Sequence, residues 1–204
     1  MELQRLHSIG FNNWYSKVLE LAHLYKIEPE ELTFCEATKT NIKRAVRNIF
    51  VQSWQSDLHN ASLYPSLRTH NRFKIDFKPE PYLNIIKKSK YNIAFSRFRA
   101  GSHTLEIERG RYSNPRTPVE NRLCTMCQEI EDEKHFLISC KLYHCERINL
   151  FSKIYKLGPH FRLSSDVEKF VFLMSNRNEQ LLTWTAKFIH DSMHQRAVYH
   201  LNAE

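Results

Sequence analysis

Four side chains within LCTMCQEIEDEKHFLISC, residues 123–140, have the types and spacing of a metal site. Cys124, Cys127, His135 and Cys140 read as C-x2-C-x7-H-x4-C. Thiolates and a neutral imidazole are the borderline-soft donors zinc favours, and two cysteines separated by two residues let one tight turn aim both sulfurs at the same ion. Four protein ligands leave no open position for a catalytic water, so the expected role is structural: one Zn2+ that organises the fold. His144 and Cys145 lie near enough to compete for the fourth position, and Cys140 is preferred. On a regular α-helix, residues five apart are rotated by about 140°, so His135 and Cys140 cannot share a helix face. A break or helix end is therefore expected between them, with the acidic run EIEDE at the start of a turn or helix, where negative charge is favoured.

Other chemistries fit these residues less well. A disulfide wants a secreted chain and a redox C-x-x-C wants a βαβ setting, and the sequence signals neither; buried thiols without a metal remain the alternative. Cys35 and Cys145 read as small core residues. Glu129, Glu131, Asp132 and Glu133 invite comparison with a two-metal nuclease site, but such sites draw carboxylates from separate elements. Neighbours in sequence are expected to form a solvated acidic face. With no Gly-rich phosphate loop, nucleophile elbow or zinc-protease helix, the chain is not expected to be an enzyme.

The elements that must position the four ligands are helical. Trp14, Val18, Leu21, Ala22 and Tyr25 recur at helical intervals, as do Ile42, Val46, Ile49, Phe50, Trp54 and Leu58, with Lys43, Arg44 and Arg47 off that stripe. Pro79 and Pro81 bracket the start of a short helix, EPYLNIIKK, closed by Lys87, Lys88 and Lys90. Tyr91, Ala94, Phe95 and Phe98 mark the next, ended by Gly101; its aromatics are assigned to the core and Lys90, Arg97 and Arg99 to the surface. Residues 102–118, SHTLEIERGRYSNPRTP, read as a loop with one short strand at most. Ser164 and Ser165 with Glu168 resemble a capped helix start, and Leu182, Ala186, Ile189, Met193, Ala197 and Leu201 line a long final helix that pairs with it. The fold class expected is mainly α: an irregular helical bundle with a small CCHC zinc knuckle inserted between helices. Its segments are N-terminal helices over 1–62, a basic helical segment over 63–122, the knuckle over 123–150 and a C-terminal helical hairpin over 151–204, together forming one compact unit.

Charge points to a partner. The 204 residues carry a net charge of +8, but residues 41–122 alone hold +10 and the remainder −2. A localised positive field of this kind suits a polyanion, most often nucleic acid. The pool for phosphate contacts comprises Lys43, Arg44, Arg47, Lys87, Lys88 and Lys90, together with Arg97, Arg99, Arg109, Arg111, Arg116 and Arg122. No apolar run approaches the roughly 20 residues of a membrane span, and MELQRLHSIG mixes charges through any signal core, so an intracellular protein, nuclear or cytoplasmic, is expected.

CTMCQEIEDEKHFLISCKLYHCER resembles the cysteine–histidine segment near the C-terminus of reverse transcriptases from non-LTR (LINE-like, jockey-type) retrotransposons, where a C-x2-3-C-x7-H-x4-C pattern follows the polymerase. The upstream text from Tyr64 to Tyr112 is similar to the basic helical segment before those cysteines, so the resemblance covers about Leu63 to Arg147. It implies a zinc-stabilised region, ligated by Cys124, Cys127, His135 and Cys140, that helps hold RNA or DNA. The polymerase Tyr/Phe-x-Asp-Asp motif is missing from the chain. The expected function is a zinc-stabilised nucleic-acid-binding module, with RNA or DNA and a reverse transcriptase or other protein as partners. A zinc-braced protein-interaction module, or an element remnant without a role of its own, is the alternative.

Overall fold

The computed structural model describes residues 8–10, 14–28, 36–60 and 64–201, which fall in two compact units, 1–60 and 61–204. The protein is mainly α-helical, and among the described residues the β pairing is a single antiparallel bridge, Leu123 to Ile130. In the first unit, α1 spans Trp14–Leu24 and α2 spans Glu36–His59. The apolar intervals foretold both. Ala22, Ile27 and Leu58 are buried, while Lys43, Arg44 and Arg47 are exposed.

The second unit opens with a 3-10 turn, Pro65–Leu67, then α3 (Arg68–Phe73), α4 (Tyr82–Ile85) and α5 (Ser89–Arg99). Pro81 sits at the N-cap of α4, as expected of a residue tolerated only at a helix start. Lys87, Lys88 and Lys90 do not close one helix: the chain is extended at Ile86 and Lys88, and Lys90 lies in the first turn of α5. Gly101 ends α5 at φ +67°, with Ser102 N donating to Arg97 O at 2.8 Å and Gly101 N to Phe98 O at 3.4 Å, the two bonds of a Schellman cap. A Cβ there would lie 2.1 Å from Ser66 O, so glycine is required by space as well as by φ.

Residues 102–118 are not the expected loop, because α6 occupies Glu106–Tyr112. The Leu-Glu-Ile-Glu alternation resembled a strand, but Leu105 precedes the helix while Ile107, Glu108 and Gly110 face inward together. Gly110, a helix-breaker by propensity, is needed because a Cβ would sit 2.7 Å from the Arg122 side chain lying across it.

Beyond the cysteine segment come α7 (His144–Leu157), a 3-10 turn (Pro159–Arg162), α8 (Asp166–Ser175) and α9 (Glu179–Leu201). Ser165 caps α8 in the expected reciprocal box: its side chain accepts from Glu168 N while Ser165 N donates to Glu168 Oε2 at 2.7 Å. Helix α9 packs on α8, and also on α4, α5 and α7. Phe136 links the cysteine segment to this body, its ring 5.4 Å from Phe98 of α5, 4.6 Å from Tyr143 and 5.9 Å from Phe188 of α9. The cysteine segment and the helices of the second unit therefore share one hydrophobic core.

Candidate metal centre

The Cys-x-x-Cys stretch is a tight hairpin. Cys124 N donates to Glu129 O at 2.8 Å, Gln128 N returns to Cys124 O at 2.9 Å, and Glu131 N extends the pairing to Arg122 O. Gln128 makes the reversal with φ +59°. The other two ligands come from a π turn, His135–Ser139, in which Cys140 N donates to His135 O at 2.8 Å. A bond spanning five residues brings 135 and 140 into register, where an α-helix would pair residues four apart. The departure from α geometry expected between them thus exists as a π turn that ends where Cys140 becomes extended at φ −56°, ψ 126°. Asp132 starts this element, its carboxylate accepting from His135 N at 2.7 Å.

The candidate ligand atoms of Cys124, Cys127, His135 and Cys140 all lie within 4.8 Å of one another, and this group could hold a metal ion. Cys124 Sγ is 3.8 Å and Cys127 Sγ 4.0 Å from Cys140 Sγ. Zinc–sulfur bonds of about 2.3 Å at a tetrahedral angle place two sulfurs about 3.8 Å apart, whereas a disulfide requires about 2.05 Å. The imidazole tests the fit independently. His135 Nδ1 lies 3.0 Å from Glu129 Oε2 and 3.3 Å from Ser139 Oγ, while the buried Nε2 has no hydrogen-bond partner. A carboxylate on one ring nitrogen, with the other left for a metal, is how ligating histidines are oriented. His144 and Cys145 are exposed and outside the group, so the competing fourth ligands are set aside; Cys145 is not the core residue expected, and Cys35 lies outside the described residues.

Electrostatics favour the thiolate at Cys124. A hydrogen bond from Cys140 pulls the Cys124 thiol down to about 3 against the opposing effect of burial, assisted by His135 and by the backbone amides of Cys127 and Met126. Cys140, as the donor to Cys124 and a buried group, is driven up correspondingly. Burial works against a charged His135, but the neighbouring Cys124 sulfur and the Glu129 carboxylate outweigh it and raise its pKa. Lys141 N also points at Cys127 Sγ, at 3.3 Å. Buried Arg147 completes the surroundings: Nε donates to Leu137 O at 3.0 Å, and one terminal nitrogen donates to Phe136 O at 3.2 Å and Cys140 O at 2.6 Å. It satisfies carbonyls of the π turn and sets a positive charge near the Cys140 and Cys127 sulfurs.

The acidic run is not the solvated face expected. Glu129 is exposed and holds His135, but Glu131 and Glu133 are buried. Glu131 receives Arg196 of α9 in a two-pronged pair at 3.0 and 2.7 Å and accepts from Glu106 N. Glu133 receives Arg68 of α3 at 2.7 and 3.1 Å and faces His103 Nε2 at 2.9 Å; Arg68 also pairs with Glu108. Every second residue of the run is thereby clamped, one to the ligand histidine and two to the helices. Sequence reading missed Arg68, His103, Arg147 and Arg196; the signal it had was a charge placed on a buried stripe, as Arg147 is with Leu150 and Ile154.

The cations of the phosphate pool separate by burial. Arg99 is 3% exposed, pairs with Glu80 at 2.9 Å, donates to Met174 O and lies against the Phe73 and Tyr82 rings, so its assignment to the surface is corrected. Arg122, also 3% exposed, donates to Thr117 O and Ile107 O and leaves the pool with it. Arg111 is largely covered and paired with Glu108, and exposed Arg109 is paired with Glu106. Lys87, Lys88, Lys90, Arg97 and Arg116 are exposed in the second unit, as are Lys43, Arg44 and Arg47 in the first. No helix among the described residues is long and apolar enough to cross a membrane. No protein-family model, curated protein or solved structure matches this chain.

Proposed function

We propose that this protein is a nucleic-acid-binding module whose second unit is stabilised by one zinc ion on Cys124, Cys127, His135 and Cys140. The observation that carries it is the donor set: three sulfurs, two of them 3.8 and 4.0 Å from the third, and a buried imidazole nitrogen without a hydrogen-bond partner, all within 4.8 Å of one another, with the imidazole held by Glu129 and Arg147 beside Cys140. Bound zinc would supply cross-linking, not reactivity, since four protein ligands close the coordination sphere. The second half of the reading rests on exposed Lys87, Lys88, Lys90, Arg97 and Arg116, which would contact backbone phosphates without reading sequence. The module binds and does not catalyse: of the carboxylates in the acidic run, Glu129 holds His135, Asp132 caps the His135 amide, and Glu131 and Glu133 are engaged by arginines. The resemblance to retrotransposon reverse transcriptases supports the same reading.

The test is metal content by mass spectrometry of the purified protein, with RNA and DNA oligonucleotide titrations at two salt concentrations. The reading expects one zinc per chain, dissociation constants of about 10⁻⁴ to 10⁻⁶ M and a steep loss with salt. Affinity that ignores salt, or none, removes the phosphate reading.

A further inference from the structure

The apolar stripe of α9 outruns the core that covers it. Leu182, Ala186 and Ile189 are buried, but the same face continues through half-buried Met193 to exposed Ala197. Opposite it, α5 presents Ile93, 51% exposed, five residues before buried Phe98. Between the two helices and residues 102–104 runs an open groove of about 560 Å³. Its floor is Ile93, Ala94, Phe98, Ile189, Met193 and Ala197, and its edges carry Lys90, Arg97, His190 and His194. None of the lining residues is a carboxylate.

We infer that this groove docks an acidic amphipathic helix of a partner protein. The argument is one of shape and charge together. Lys90 and Arg97 stand seven residues apart on α5, about 10 Å, which is two turns of a guest helix lying along the groove. The floor offers aliphatic surface at the i, i+4 and i+8 positions of α9, which suits the recurring anchors of a helix laid in a groove and offers little to a nucleobase, since stacking wants flat aromatic faces. The ring of Tyr91 is buried against His190, and Phe98, the one phenyl ring in the floor, is 1% exposed. Lys90 and Arg97 stand above an apolar floor, and the nearest acids, Asp191 and Glu133, are already engaged, the first by Lys187 and His190 and the second by Arg68 and His103. Such a rim selects a guest with carboxylates flanking its apolar face and disfavours a basic one. The inference goes beyond the phosphate reading, although Lys90 and Arg97 would serve both.

The test is fluorescence anisotropy on the full chain, using a labelled peptide of about four helical turns with leucines on one face and glutamates flanking it. A lysine-for-glutamate counterpart and a labelled single-stranded oligonucleotide run alongside. The glutamate peptide should bind, and its lysine counterpart should bind about tenfold more weakly or worse. Ala197→Trp fills the groove but leaves every cation in place; it should weaken the glutamate peptide by about tenfold or more. Ile93→Glu, at an exposed position, should do the same and guards against a tryptophan variant that fails to fold, as checked by its circular dichroism. Oligonucleotide binding should survive Ala197→Trp, so that failure of the groove and failure of the phosphate reading give different patterns. The inference is overturned by equal binding of the two peptides, by no peptide binding, or by wild-type affinity in both variants. Loss of oligonucleotide binding in Ala197→Trp without any peptide binding assigns the groove to nucleic acid and overturns it as well.

Discussion

Two neighbouring regions of the second unit are held together by different physics. The pair α8 and α9 is organised by apolar faces, with Phe170, Leu173, Met174, Leu181, Leu182, Ala186 and Ile189 nearly inaccessible to water. Residues 122–147 bury Phe136, Leu137, Ile138 and Tyr143, but the hairpin that precedes them leaves Met126 and Ile130 exposed. What fixes that hairpin is polar: four candidate metal ligands, two buried carboxylates gripped by arginines and an arginine under the π turn. A helical pair can condense around its own stripe. An irregular segment that satisfies few of its backbone groups with regular structure has to be tied at chosen points, and those points are charged or metal-binding.

The largest expected effect follows from cutting the metal tie. Structural zinc contributes apparent free energies of about 10–16 kcal/mol at neutral pH in small domains that fold on it. Chelation should abolish hydrogen-exchange protection at the amides of Cys124, Gln128 and Cys140, which close the hairpin and the π turn, while mid-helix amides of α9 exchange far less than these. Uniform loss across both regions would show that the contrast is false and that one cooperative unit depends on the ion. Unchanged protection in both would remove the metal from the account.

Next in size are the carboxylate ties. Glu133→Gln leaves Arg68 with half its compensation in a mostly buried site, and breaking such a pair costs about 3 kcal/mol, the lower end of the usual range because Arg68 retains 28% side-chain exposure. Glu129→Gln, in the same run but at the surface, should change the stability of the metal-free protein by under about 1 kcal/mol and instead weaken metal affinity by about tenfold or more, since it orients His135. Equal effects of the two substitutions would erase the distinction between body tie and ligand tie. The pH dependence carries a definite sign. Burial pushes the Glu133 carboxyl up, but the hydrogen bond with His103 and the Arg68 charge prevail and hold it below the ordinary carboxylate range. A lowered folded-state pKa gives stability that is complete above the unfolded value of about 4.3 and is lost as pH falls through the folded one. Urea midpoints of the parent and Glu133→Gln, compared between pH 7 and 3 at equal metal content, should converge at the acid end.

Much of this was legible in the residues, unevenly. Helices α1, α2, α5, α8 and α9 follow from apolar spacing because each has a face that repeats over three turns or so. The ligand set follows from donor chemistry, which local spacing expresses directly. Helix α6 did not, since seven residues with a central glycine carry almost no periodic signal and their helicity depends on Arg122 filling the space above Gly110. Glu131 and Glu133 were read as solvated because their partners, Arg196 and Arg68, are each 65 residues away. Composition shows charge, whereas burial of charge is settled by partners that only the fold brings near. The trace left in sequence is an arginine in an apolar row: Arg196 continues the buried series Thr185, Ile189 and Ser192 along α9.

The smallest effect sharpens the contrast from the other side. Ser165 and Glu168 exchange hydrogen bonds at the start of α8, and both are exposed, so the box itself acts on the helix end, although α8 packs on the π turn of the cysteine segment. Ser165→Ala removes an acceptor from the Glu168 amide and should cost about 1 kcal/mol. That loss should be read as a lower urea midpoint and faster exchange in the first turn of α8, with the metal affinity of the protein unchanged, because none of the four ligands or their partners touches this cap. A variant that lost metal affinity along with the cap would mean that the packing of α8 on the π turn carries the cap's effect to the centre, and the division between a region held by apolar faces and one held by ties would have to be redrawn to include α8.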